Sequence, residues 1–337
     1  MSSWNQVNRR DFLNQSLAAA GTAGVVSGSL AATPRTEAAG GDPPAAGAAA
    51  KAKASPLPCG TLGRAQVSRL LLGGNLIGGY MHCRDLKYVN SLFRAYATDE
   101  KILETIALAE QHGINTVFET GGDFVARYNR QHGGHMQFIP HIEIKTNWNA
   151  GEQADHIKRQ VDTGAIALYV WGVSSDPLIR DGQVAVLARA VEMAKKHDLP
   201  IGVGCHSLQV PIQCEKHGVP CDFYVKTLHT DDYFSATPKE LRKDFVWLDG
   251  GKGWYDNMWC LNAEETVAFM KTVSKPWIAF KVLAAGAIPP AQAFPYAFKS
   301  GADFIAVGMF DFQIKADAEL AGRAIRHHQK RERPWRA

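Results

Sequence analysis

The sequence predicts an α/β protein built as a single (β/α)8 TIM barrel. Past residue 58, eight short β-branched or apolar runs alternate with helix-length amphipathic segments. No G-x-G-x-x-G follows any of those runs, which disfavours an open dinucleotide-binding sheet. The 280 residues beyond residue 57 suit one barrel of this class. With 46% hydrophobic and 21% charged residues, the chain can bury a large core.

The N-terminal region has a different character. Asn8-Arg9-Arg10-Asp11-Phe12-Leu13 precedes an uncharged, Ala/Gly-rich run from Ser16 to Ala32. Paired arginines ahead of a short, weakly apolar stretch are similar to a twin-arginine export signal over residues 1–32. Gly21, Gly24 and Gly28 weaken the reading as a membrane span. Residues 33–58 read as a flexible Ala/Gly/Pro-rich linker, and residues 326–337 as a solvated basic tail. The expected partner of the front end is the twin-arginine translocation machinery. The expected location is periplasmic or otherwise exported, with no stable membrane span after processing. Net charge is +4, with the first 57 residues holding five basic and three acidic side chains. The remainder is near neutral, which argues against nucleic acid as a partner.

The expected strands are Val67–Gly73, Ile114–Glu119, Phe138–Thr146, Ala165–Trp171, Pro200–His206, Asp222–Leu228, Pro276–Leu283 and Ala302–Gly308, within a barrel domain spanning residues 59–325. Asp99–Gln111 reads as a helix with Thr98 as N-cap and Gly113 just past its end. Asp181–His197, Ser207–Gly218 and Ala263–Val273 also read as helices. The longest insertion, His229 to Leu261, carries Trp247, Trp254 and Trp259 and suits a lid over the mouth or an aromatic anchor for a long loop. A second insertion, Gly79 to Ala97, brings His82, Arg84 and Tyr88 to the same face.

Alternate strand residues point into a barrel. That parity turns Glu143, Lys145, Tyr169, Trp171, His206 and Lys281 inward, puts Lys226 on one face with Tyr224, and ends the second strand on Glu119. The C-terminal mouth should therefore gather Glu119, Glu143, Lys145, His206, Lys226 and Lys281, which must pair, shift their protonation or hold a ligand. Lys226 or Lys281 could form a Schiff base with a carbonyl substrate. Glu119, Glu143, His206 and His229 could instead hold a divalent metal. His229 and Trp254 are further candidates for touching substrate. Cys205, His206, Cys214, His217 and Cys221 fall close together, yet their spacing departs from paired zinc motifs.

Several segments resemble the aldo/keto reductase superfamily. Thr61-Leu62-Gly63-Arg64 with Val67–Gly74 looks like its first hairpin and strand. Ala109–Asn115 is similar to the joint ahead of its catalytic acid, Lys275–Gly286 to its seventh strand and Ala302–Met309 to its eighth. The resemblance implies NADP(H)-dependent carbonyl chemistry, with Gly308, Met309 and Phe310 near the cofactor. It also implies an Asp/Tyr/Lys/His tetrad, onto which Glu119, Phe124, Lys145 and Trp171 map. A phenyl ring has no proton to donate and an indole no basic nitrogen, so only the Glu119–Lys145 pair keeps its chemistry. The leading expectation is an exported oxidoreductase with an altered tetrad and a tightly held nicotinamide cofactor, acting on a small polar carbonyl or hydroxyl compound. The alternatives are a metal- or Schiff-base-dependent lyase or isomerase, and a non-catalytic ligand-binding barrel.

Overall fold

The computed structural model describes residues 57–251 and 253–337. The expected export signal and nearly all of the expected linker lie outside those residues. Leu57 and Pro58, the end of that linker, are already docked: Leu57 is buried, and the Pro58 carbonyl accepts the Arg69 amide.

An antiparallel hairpin, β1 (Cys59–Leu62) and β2 (Ala65–Ser68), comes first, turning at Gly63 with φ +60°. The chain bends at Arg69 and enters the barrel, so the expected first strand is two elements. The eight barrel strands are β3 (Leu70–Gly73), β4 (Thr116–Glu119), β5 (Gln137–Ile142), β6 (Leu168–Val170), β7 (Ile201–Cys205), β8 (Phe223–Thr227), β9 (Trp277–Phe280) and β10 (Phe304–Val307). Each pairs parallel to its neighbours, and β10 closes on β3. All eight expected strands are present, shorter than their apolar runs suggest.

Two layers of side chains follow from the strand alternation. Leu71, Phe118, Ile139, Tyr169, Phe223, Val225, Ile278 and Phe304 fill the barrel. Leu72, Val117, Val170, Val203, Tyr224, Ala279 and Ile305 pack outward against the helices. Those helices are α1 (Lys87–Tyr96), α2 (Asp99–Gln111), α3 (Gly122–His132), α4 (Ala150–Val161), α5 (Gly172–Arg180), α6 (Val184–Lys195), α7 (Gln209–Lys216), α8 (Ala263–Thr272), α9 (Pro290–Lys299) and α10 (Asp311–His327). The Thr98 cap on α2 is formed, its hydroxyl accepting the Lys101 amide. The helix expected from Asp181 begins only at Val184, because α5 runs to Arg180 and Gly182 turns with φ +71°. Among the described residues no helix is long and apolar enough to cross a membrane.

The C-terminal segment is not a solvated tail. Asp303, fully buried, accepts Arg331 at 3.0 Å and Arg333 at 2.7 Å, plus the amides of Trp277 and Arg336. Arg333 also donates to the carbonyls of Met270, Gly301, Val273 and Lys275. Arg69 reaches the Ala337 carbonyl and lies 3.9 Å from the Trp335 ring. These arginines read as solvated in the sequence because their shared carboxylate is more than 25 residues away. Removing one member of a buried pair leaves an uncompensated charge, so Arg333→Ala should lose about 3–5 kcal/mol in chemical unfolding. Lys271→Ala, which breaks the exposed pair with Glu332, should lose about 1 kcal/mol or less.

Candidate functional site

The strands deliver their C-terminal ends to one mouth, where β3, β4, β9 and β10 surround a cavity of about 250 Å³. Two backbone reversals shape it. Glu119, closing β4, has φ +85°, and Lys281, just past β9, has φ +57°. The left-handed region is costly for residues with a Cβ, and such positions cluster at functional sites. In β9 it is Ile278 and Phe280 that face the barrel core, the reverse of the phase expected from the sequence, so alternation alone would send Lys281 outward and the inward expectation holds for a different reason. The reversal brings it back, and both Lys281 and Glu119 line the cavity.

Lys281 has an unusual environment for an ammonium ion. Its Nζ lies 2.8 Å from His82 Nε2 and 4.0 Å from the centre of the Trp259 ring. Among the described residues no carboxylate oxygen comes within 4 Å of it. Burial pushes its pKa down from 10.5 to about 8, against the opposing pull of Glu119 and Asp256. His82 Nδ1 lies 2.8 Å from Asp256 Oδ1, and Asp256 Oδ2 accepts the Arg84 amide. The carboxylate therefore fixes a ring that donates from Nδ1 and accepts the lysine proton at Nε2. Asp256 belongs to the long loop after β8, so this chain of bonds ties that loop to the one after β3.

Glu119 is oriented by aromatic neighbours. Trp171 donates its indole N–H to Glu119 Oε1 at 2.9 Å, and His141, stacked on Trp171, donates from Nδ1 to the Glu119 carbonyl at 3.1 Å. The expected Glu119–Lys145 pair is not formed. Lys145 pairs with Glu143 at 3.0 Å and lies over Trp148, and neither charged residue lines the cavity. Strand β5 stops at Ile142, so strand parity does not reach these two residues.

His206 points into the barrel as parity indicates. Its Nδ1 bonds the buried Asp176 at 2.7 Å, and its ring sits among Trp247, Trp259 and Phe280. Burial lowers its pKa. Lys226 is a correction: Phe223, Val225 and Thr227 alternate inward, so Lys226 faces the helices, fully buried, with Nζ on the Thr227 carbonyl and hydroxyl. It does not line the cavity. His229 is another. It donates from Nδ1 to the Thr230 carbonyl, while Nε2 accepts the amides of Trp259 and Cys260 at 3.0 and 2.9 Å. Both ring nitrogens are occupied by backbone, which leaves none for a metal or substrate.

Glu119, Glu143, His206 and His229 thus do not converge, and among the described residues no group of three or more His, Cys, Asp or Glu is placed to hold a metal ion. Trp254 packs edge-on to Trp259 at 5.6 Å and does not line the cavity. Gly308 and Phe310 do line the cavity, whereas Met309 is buried in the outer core. Sequence reasoning missed the Asp256–His82 and Asp176–His206 pairs. The His82 and Asp256 partners sit in separate loops 174 residues apart, beyond any periodic signal.

The His229 contacts require a neutral ring, and burial holds its pKa down at about 4, below the ordinary 6.5. A depressed histidine pKa means that this contribution is complete above pH 6.5 and is lost as pH falls from 6.5 towards 4. His229→Ala should weaken the loop by about 1–3 kcal/mol for each amide it orphans, read from tryptophan emission during unfolding. The variant should also lose that part of the wild-type acid sensitivity.

No family model matches the chain, and no curated protein matches it. Two solved structures from Pseudomonas aeruginosa, both provisionally assigned as aldo-keto reductases, are similar at 14% and 15% identity with TM-scores of 0.54 and 0.51. Each alignment covers 79% of this chain and 95% of the other. At that identity the likeness is one of fold: this chain is a closed (β/α)8 barrel of the kind found among those proteins.

Proposed function

We propose that the protein is a lyase or isomerase acting on a carbonyl compound through the ε-amine of Lys281. The observation that carries this reading is a half-buried lysine, bonded to an imidazole rather than a carboxylate, at the wall of the mouth cavity. His82 would take one proton from the Lys281 ammonium, with Asp256 stabilising the imidazolium. The free amine attacks the carbonyl carbon. The resulting carbinolamine oxygen takes the proton back from His82 and a second from nitrogen, and leaves as water. The iminium that remains keeps one N–H, so the charge of the original ammonium is conserved. Glu119, which lines the same cavity, would remove a proton from the adjacent carbon. The wall is otherwise largely apolar, with Leu76, Tyr80, Phe280, Val282 and Phe310, which favours an unphosphorylated aldehyde or ketone over a free sugar.

A nicotinamide-dependent reductase is the second reading, favoured by Gly308 and Phe310 on the cavity wall and by the likeness in fold. The donor set fits a dinucleotide's phosphates poorly. Lys281 is the one lysine or arginine among the described lining residues, and the first turn of α10 already holds Asp311, bonded to Tyr96 and Lys101.

Borohydride reduction in the presence of small aldehydes and ketones separates these readings. Stable label should appear on the peptide containing Lys281, rise as pH passes through about 8, and vanish in Lys281→Met. His82→Ala should slow trapping by about 10²-fold. Label confined to surface lysines overturns the proposal, and co-purified NADP(H) that is oxidised by added carbonyl supports the second reading.

A further inference from the structure

The helix α1 beside the mouth is unusual in that only one of its side chains, Phe93, is buried. Tyr88, Leu92 and Tyr96 recur every fourth residue and so share one face. Tyr88 and Leu92 are 71% and 69% exposed, and nothing in the described fold covers them. The apolar surface continues past the helix: Tyr96 packs edge-on to Phe310, and Phe310 stacks on Phe312, itself 70% exposed. Tyr80 is 68% exposed and, like Phe310, lines the cavity. Large exposed apolar side chains on α1 and Phe312 thus lead to the half-buried Phe310, which lines the cavity. Isolated exposed apolar residues are ordinary, but a contiguous row marks an interaction surface.

The charges on the far side of the same helix and in the loop before it indicate the partner. Arg84, Lys87 and Arg94 are exposed, none of them is in an ion pair among the described residues, and Asp85 is the single acid within residues 80–97. A short helix with aromatic and Leu side chains on one face, and with unpaired Lys and Arg, matches the chemistry of an anionic bilayer surface. We propose that the barrel mouth docks on an anionic lipid surface through α1, with Tyr80, Tyr88, Leu92 and Phe312 entering the headgroup boundary. The cavity would then open towards the bilayer, where apolar carbonyl compounds partition. The docking itself stands without the Lys281 chemistry, so its test does not depend on catalysis.

Co-sedimentation of the full chain with phosphatidylglycerol-containing vesicles, compared with pure phosphatidylcholine vesicles, tests this. Binding should be stronger to the anionic vesicles and weaken with added salt. The double variant Tyr88→Glu/Leu92→Glu should bind at least about tenfold less, since two apolar anchors are lost. Its thermal unfolding should be unchanged, because neither side chain is buried. Absence of vesicle binding overturns the proposal. So does undiminished binding of the double variant, which would place the lipid contact elsewhere in the chain. A wild-type dimer in solution that the same double substitution dissociates also overturns it, assigning the face to a second copy.

Discussion

The hydrogen bond from Lys281 to His82, backed by Asp256, is the contact on which the geometry of the mouth depends. It joins three segments that share no secondary structure: the turn after β9, the insertion after β3 and the long loop after β8. A salt bridge to a carboxylate would hold the same segments but would also keep the amine charged. With imidazole as the partner, burial is the larger influence, and the amine lies near the point of losing its proton at neutral pH. The same arrangement supplies a place for that proton to go.

Local strain makes this possible. Left-handed conformations at Glu119 and Lys281 cost about 1–3 kcal/mol each, and they persist because regular barrel strands lead directly into them. Ala284 and Ala285 continue the same conformation beyond Lys281. At the opposite end of the barrel, Asp303 gathers two arginines and clamps the chain terminus against β9 and β10. The rigid framework and the strained rim are thus separated along the barrel axis. The loop after β8 is held by a different device, His229, whose ring serves the backbone alone.

The sequence made the barrel legible, because alternating apolar runs and amphipathic helices are local patterns. Parity also placed His206, Tyr169 and Trp171 correctly, since these residues lie in strands or immediately beyond them. It failed where a strand had already ended, as at Glu143 and Lys145, and although it pairs Lys226 with Tyr224 it does not say that their shared face is the outer one. Lys281 reached the mouth through a backbone reversal that no alternation rule contains. Asp256 and Asp176 went unnoticed because each acquires meaning only from a histidine brought close by folding. Arg331 and Arg333 looked solvated for the same reason. Patterns with a period survive in sequence, whereas pairs closed across loops do not.

Phe310 packs against Tyr96 of α1 and also lines the cavity, so the proposed docking face and the proposed reaction site meet at one apolar side chain. That leaves the protonation of one amine as the central quantity. A heteronuclear NMR titration of Lys281, assigned by comparison with Lys281→Met, measures it directly. The account requires a midpoint near 8 that moves when Asp256→Asn disturbs the His82 ring. A midpoint near the ordinary 10.5, unaffected by that substitution, would contradict it.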